Sequence, residues 1–110
     1  MWHPSTERAE ASQMNQFRLF ANKKYGMELD NYRDLYNWSV NEITCFWEAV
    51  WSFGKPVVSK DYHQVVDDDS KMPGAKWFSG ARLNFAENLL RRRDNHTAIL
   101  SRGEGKDDRK

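Results

Sequence analysis

The chain has 110 residues, 17 Lys plus Arg against 16 Asp plus Glu, and 39% hydrophobic residues, a size and balance that fit one small soluble domain and exclude several. A formal net charge of +1 sets up no long-range field, so neither nucleic acid nor anionic lipid is an expected partner. Apolar stretches such as Ala49-Val50-Trp51 stop at three residues, far short of the about 20 that a bilayer-spanning helix needs, and no membrane contact is expected.

The first helix is predicted from about Thr6 to Tyr25, with Met14, Phe17 and Ala21 at helical spacing and Gly26 available for a left-handed stop. Asn31 opens a second, short helix in which Tyr32, Leu35 and Tyr36 share a face, ending near Trp38. Ser39-Val40-Asn41-Glu42 has the spacing of a capping box. Ile43, Phe46, Trp47, Val50 and Trp51 follow as one apolar stripe, and Gly54 supplies the stop, so this third helix is the expected centre of the core. Beyond it, residues 57–60 and 62–66 are rich in β-branched side chains and predict short extended segments. Asp67 to Gly74 reads as a polar loop and as the most mobile internal stretch. Trp77-Phe78-Ser79-Gly80 leads into a helix capped by Asn84 and running from about Phe85 to Arg92. Thr97 to Ser101 predicts one short strand, and residues 101–110 a charged, flexible tail after a domain spanning 1–100. The expected fold is mainly α: a small, loop-rich domain of about four helices with short extended segments.

Aromatic content is the one feature out of proportion. Five Trp, four Tyr and six Phe make up 14% of the chain. Each such side chain buries about 150–250 Å², yet a chain of this length removes only about two thirds of its surface from water when it folds alone. Aromatics left over lie in exposed patches, and such patches mark contacts with something larger.

Residues that could carry chemistry are sparse. His3, His63 and His96 have no metal-ligand spacing, and Cys45 has no partner for a disulfide. Cys45 lies in the third helix, where it serves as a small apolar residue. Asp67-Asp68-Asp69 lacks the spacing of a calcium loop. Gly54-Lys55 has neither the earlier Gly nor the following Ser or Thr of a phosphate-binding loop. Arg91-Arg92-Arg93 sits at a helix end, where cations complement the dipole. No catalytic, cofactor-binding or metal-binding residue is assigned. With a lone Cys and no secretion signal at Met1-Trp2-His3-Pro4, the expected location is cytoplasmic.

Trp2-His3-Pro4, Tyr32, Leu35 to Val40, Phe46-Trp47, and above all Trp77-Phe78-Ser79-Gly80-Ala81-Arg82-Leu83-Asn84-Phe85-Ala86-Glu87-Asn88-Leu89-Leu90 resemble the N-terminal region of the acetoacetyl-CoA synthetases, a branch of the acetyl- and propionyl-CoA synthetase group. The resemblance runs from Trp2 to about Leu100. It implies kinship with adenylate-forming ligases, which activate a carboxylic acid with ATP and magnesium and pass the acyl group to CoA. Their phosphate loop, ribose-binding acid and catalytic Lys lie downstream and have no matching position here. The resemblance therefore implies an N-terminal cap without its own active site, whose partner is the adenylation domain of a larger body. On that basis Trp47, Trp51, Trp77, Phe78, Arg82 and Leu83 are candidate docking or core residues, with Arg82 suited to pair with a carboxylate or carbonyl of the body. A stand-alone interaction module docking through an aromatic face is the alternative.

Overall fold

Local capping chemistry sets most element boundaries in the computed structural model, which describes residues 3–105. The predicted first helix is two: α1 (Thr6–Glu10) and α2 (Gln13–Tyr25). Ser12 is the reason for the break, because its Oγ accepts the Asn15 backbone N–H (3.2 Å) and so starts a fresh helix. Gly26, at φ 65°, closes α2 as expected. Asn31 caps α3 (Tyr32–Asn41) by accepting the N–H groups of Arg33 and Asp34 at 2.8 and 3.1 Å.

The capping box at Ser39 does not form. α3 continues through Trp38 to Asn41, and Ser39 Oγ donates to the Tyr36 carbonyl (2.7 Å) within it. Helix α4 (Ile43–Gly54) starts after the single non-helical residue Glu42, whose side chain makes no cap hydrogen bond. Its left-handed stop falls on Lys55 (φ 46°), one residue beyond Gly54. Packing explains why α4 tolerates a weak cap. Phe46 sets its ring edge-on to Phe17 and Trp38, Phe17 also meets Phe53, and Trp38 meets Tyr25, with centroid distances between 5.4 and 5.8 Å. This aromatic lattice surrounds the buried residues Phe17, Ala21, Leu35, Trp38 and Ala49. Met14, expected on the same face, is 51% exposed.

After α4 the chain is held by hydrogen bonds more than by burial. Strand β1 (Gln64–Val66) pairs antiparallel with β2 (Trp77–Ser79), Gln64 opposite Ser79 and Val66 opposite Trp77. The loop between them is closed by Asp67, which accepts the Lys76 N–H (2.7 Å) and the Lys71 ammonium (3.2 Å). The Lys76 amide, followed by Lys71, holds the Asp67 carboxyl below its ordinary range. Farther back, Lys60 and Arg82 form a backbone bridge. Helix α5 (Phe85–Leu89) is shorter than predicted and is capped by Asn84, which accepts the Glu87 N–H (3.1 Å). Of the strand predicted at 97–101, residues 97–100 have no regular structure and Ser101 alone takes part in an isolated β-bridge. The predicted tail extends past the described residues from position 106 on.

The radius of gyration, 18.1 Å, exceeds the about 13 Å of a compact domain this long. Accessible surface is 9505 Å² for 13.0 kDa, where a folded monomer of that mass exposes roughly 6,300 Å². Everything from Leu89 to Gly105 is exposed and contributes to the excess.

A candidate docking surface

α4 delivers Trp47, Val50 and Trp51 along one stripe, β2 delivers Trp77 and Phe78, and α5 delivers Phe85 and Leu89 at i and i+4. Apart from Trp77, which packs beside Trp47, they line one open groove of about 360 Å³ with Asn88 and Arg91 at its rim. Trp47 and Trp77 meet edge to face at 5.9 Å and remain 41% and 40% exposed. Trp51 and Phe78 lie beneath, stacked at 4.6 Å with their planes 26° apart, and Tyr62 sets its ring edge-on against both.

Phe78 holds φ 47° inside a strand, a conformation that costs a bulky residue about 1–3 kcal/mol. The Trp51 stack offsets that strain. Two residues on, Gly80 sits at φ 88°, and a Cβ there would lie 2.5 Å from the His63 ring. His63 approaches this closely because its backbone N–H donates to the Ser79 carbonyl (3.0 Å). Trp77-Phe78-Ser79-Gly80 is thus a shaped turn that buries one ring of the pair against α4 and turns the other toward Trp47.

Asn88 acts as a backbone surrogate. Its Oδ1 accepts the Val57 N–H and its Nδ2 donates to the Val57 carbonyl, both at 2.8 Å, tying α5 to the segment that leaves α4. Arg91 donates to the Gly54 and Lys55 carbonyls at 3.4 and 3.3 Å, where the α4 C-terminus welcomes a cation.

Of the six residues singled out from the sequence, Trp47, Trp51, Trp77 and Phe78 are brought together. Arg82 and Leu83 lie outside the groove. Arg82 bridges Lys60 through its main chain, and its exposed guanidinium has no partner among the described residues. Leu83 is 47% exposed. Phe85, Asn88, Leu89 and Arg91 were not singled out, although Phe85 and Leu89, 72% and 66% exposed, carry a readable i, i+4 signal.

A second hollow, about 410 Å³, opens between α1, α2 and the start of α3. Of its polar groups, Arg18 bonds Asn15 and the Leu29 carbonyl, and Asn31 caps α3. Across α2 and α4, Tyr25 donates to the Cys45 carbonyl and to Glu48 at 3.1 and 3.2 Å. Burial first, and then the Glu48 charge, push its phenol above the ordinary range.

ATP, magnesium and CoA do not fit the donor set of the aromatic groove. The groove is walled by rings and Leu, its one cation is committed to helix carbonyls, and among the described residues no three His, Cys, Asp or Glu side chains converge on a metal position. No helix among these residues is long and apolar enough to cross a membrane.

Residues 32–89 match the family described as acetyl-coenzyme A synthetase N-terminus. An acetoacetyl-CoA synthetase of Danio rerio is 39% identical over 98% of the chain, which spans 16% of that protein. A malonamoyl-CoA synthetase of Penicillium aethiopicum is 43% identical over 82% of the chain, or 12% of its own length. Among solved structures, acetoacetyl-CoA synthetase from Streptomyces lividans superposes with a TM-score of 0.74 and 37% identity, covering 82% of this chain and 14% of that one. The fold is therefore that of a known kind of protein segment, and the chain belongs to the acetyl-coenzyme A synthetase N-terminal family, alongside the N-terminal regions of acetoacetyl-CoA synthetases.

Proposed function

We propose that the chain is the N-terminal docking cap of an acetoacetyl-CoA synthetase-type ligase in the cytoplasm, with residues 1–100 as the cap and 101–110 as a charged tail. The parent reaction is ATP-dependent ligation of acetoacetate to CoA through an acyl-adenylate. The cap contributes no catalytic group and is inactive alone. Trp47, Trp77, Phe85 and Leu89 seat on the adenylation body, with Trp51 and Phe78 as the platform beneath them. Leu83 and Arg82 extend the contact, and the guanidinium meets a carboxylate or carbonyl of the body.

The carrying observation is the paired, two-fifths-exposed Trp47 and Trp77 rings beside Phe85 and Leu89 on one face. Apolar side chains of this size cost free energy in water unless something covers them. The choice of acid is read as made elsewhere in the ligase, a reading supported by matches of this segment both to an acetoacetyl-CoA synthetase and to a malonamoyl-CoA synthetase.

Two measurements test the reading. The chain mixed with acetoacetate, ATP, magnesium and CoA is expected to release no AMP above background, and turnover would overturn it. Added to a relative's ligase body lacking the matching N-terminal region, the chain is expected to bind and to raise that body's thermal stability. Failure to bind would leave the stand-alone module in its place.

A further inference from the structure

We propose that the corner between the Trp47 and Trp77 rings is a cation–π site, and that its occupant is an arginine guanidinium of the ligase body. The site rests on the docking-cap reading for its occupant, but the chemistry of the corner has a separate test.

Beside the groove opens a separate hollow of about 360 Å³, lined by Trp47, Trp77 and Phe78. It shares Trp47 and Phe78 with the groove, whereas Phe85, Leu89 and Arg91 belong to the groove alone. The two Trp rings meet edge to face, with centroids 5.9 Å apart and planes at 64°. Rings set this way form an open corner, and a cation seated in it comes within the ~6 Å of both centroids that a cation–π contact requires. Indole is the ring that holds a cation best. Because both rings are about two-fifths exposed, the corner is reachable from solvent. Phe78 is fixed as the third wall by its stack on Trp51 (4.6 Å) and its edge contact with Tyr62 (5.4 Å).

Charge favours a cation here over a neutral apolar chain. The ring faces carry the negative end of the aromatic quadrupole, and a carboxylate stands behind them. Tyr62, whose ring touches Phe78, has its phenol pushed above the ordinary range, first by burial and then by the Glu48 and Asp61 charges, with Lys24 opposing them. Lys24 neutralises Glu48 through a 3.1 Å ion pair. Asp61 accepts the Tyr62 backbone N–H (2.9 Å) and forms no ion pair among the described residues, so its charge is left for a partner to meet. Arg91 does not fill the corner, since it donates to the Gly54 and Lys55 carbonyls instead. A guanidinium suits the site better than an ammonium, being planar, weakly hydrated and able to stack on an aromatic face.

Titrating the whole chain with N-acetyl-arginine amide is expected to shift the Trp47 and Trp77 indole N–H signals in NMR spectra saturably. N-acetyl-citrulline amide, the same shape without the charge, is expected to bind about 2- to 30-fold more weakly, the range that a cation–π contact spans. Trp77→Leu keeps an apolar side chain but removes the ring face, and is expected to abolish the preference while circular dichroism stays that of the parent. Trp47→Leu, on the other wall, gives a second variant with the same expected loss. Equal affinity for the two probes overturns the site. A preference that survives both Trp changes overturns it too, and its loss with Asp61→Asn instead would mark an ordinary ion pair. In binding to a relative's ligase body that lacks the matching N-terminal region, Trp77→Leu is expected to weaken affinity at least ~3-fold. Binding unaffected by either Trp change removes the arginine of the body as occupant and leaves the docking cap standing on Phe85 and Leu89. An arginine preference in a chain that binds no body upholds the chemistry of the corner and removes both the cap and that occupant.

Discussion

Every buried residue of the described chain lies between Phe17 and Ala49, whereas residues 55–91 contain none. The first region is held by rings meeting rings in a buried core, and the second by half-exposed rings stacked on α4 together with hydrogen bonds to the main chain, from Asn88, Asp67 and the Lys60–Arg82 bridge. Such bonds add only about 0.5–1.5 kcal/mol each, because water competes for the same groups. They fix a shape well and stabilise it modestly. In the docking-cap proposal the second region presents the surface and the first supports it, with α4 shared between them.

The sharpest way to break this contrast is in the lattice. Trp38→Ala removes a 9%-exposed ring that touches both Tyr25 and Phe46. An expected loss of about 3–5 kcal/mol is a large part of a small domain's stability, and helical circular dichroism under urea should collapse toward zero denaturant. An unchanged midpoint would show that burial is not what holds the helices.

Gly80→Ala comes next. A Cβ at φ 88° against the His63 ring is expected to cost about 1–3 kcal/mol. Combining it with His63→Ala should recover the steric part and leave the dihedral part, readable as non-additivity in Trp fluorescence titrations. Strict additivity would place the strain elsewhere.

Asn88→Ala removes both bonds to Val57 and is expected to cost roughly 1–2 kcal/mol. The Val57 amide should exchange with solvent faster while amides inside α2 and α4 are unaffected. Equal acceleration in both regions would merge them into one cooperative unit.

The smallest effect is the pH dependence of the 67–76 loop. The Asp67 carboxyl is lower in the fold than in the open chain, so its contribution is complete above the ordinary carboxylate value, about pH 4, and is lost as pH falls through the lower folded value. The Lys76 amide signal should follow that step, and Asp67→Asn should abolish it.

Signals that act within one turn of chain were legible in the sequence. Asn31 and Asn84 cap where they were expected to, and Gly26 ends α2. Ser39 misled because an equally local rule competes: a Ser inside a helix can bond back to a carbonyl, and Trp38, buried beside Phe46, carries α3 past it. Strand β2 was illegible because its partner lies across the closed 67–76 loop and Phe78 breaks the extended dihedrals. Residues 97–100 have strand composition but no strand beside them to pair with among the described residues. At the candidate surface, the aromatic residues announced themselves by type. Asn88 and Arg91 did not, since their roles depend on carbonyls and amides more than thirty positions away in sequence.

The left-handed backbone at Phe78 has a consequence for how the protein is made. Synthesis runs from the N-terminus, so α4 emerges from the ribosome before residue 78 does. Trp51 is then already displayed as a template, and the disfavoured dihedral is adopted against a ready surface. Moving the turn ahead of α4 by circular permutation would reverse that order, and the nascent Phe78 would wait in the extended form until its template arrived.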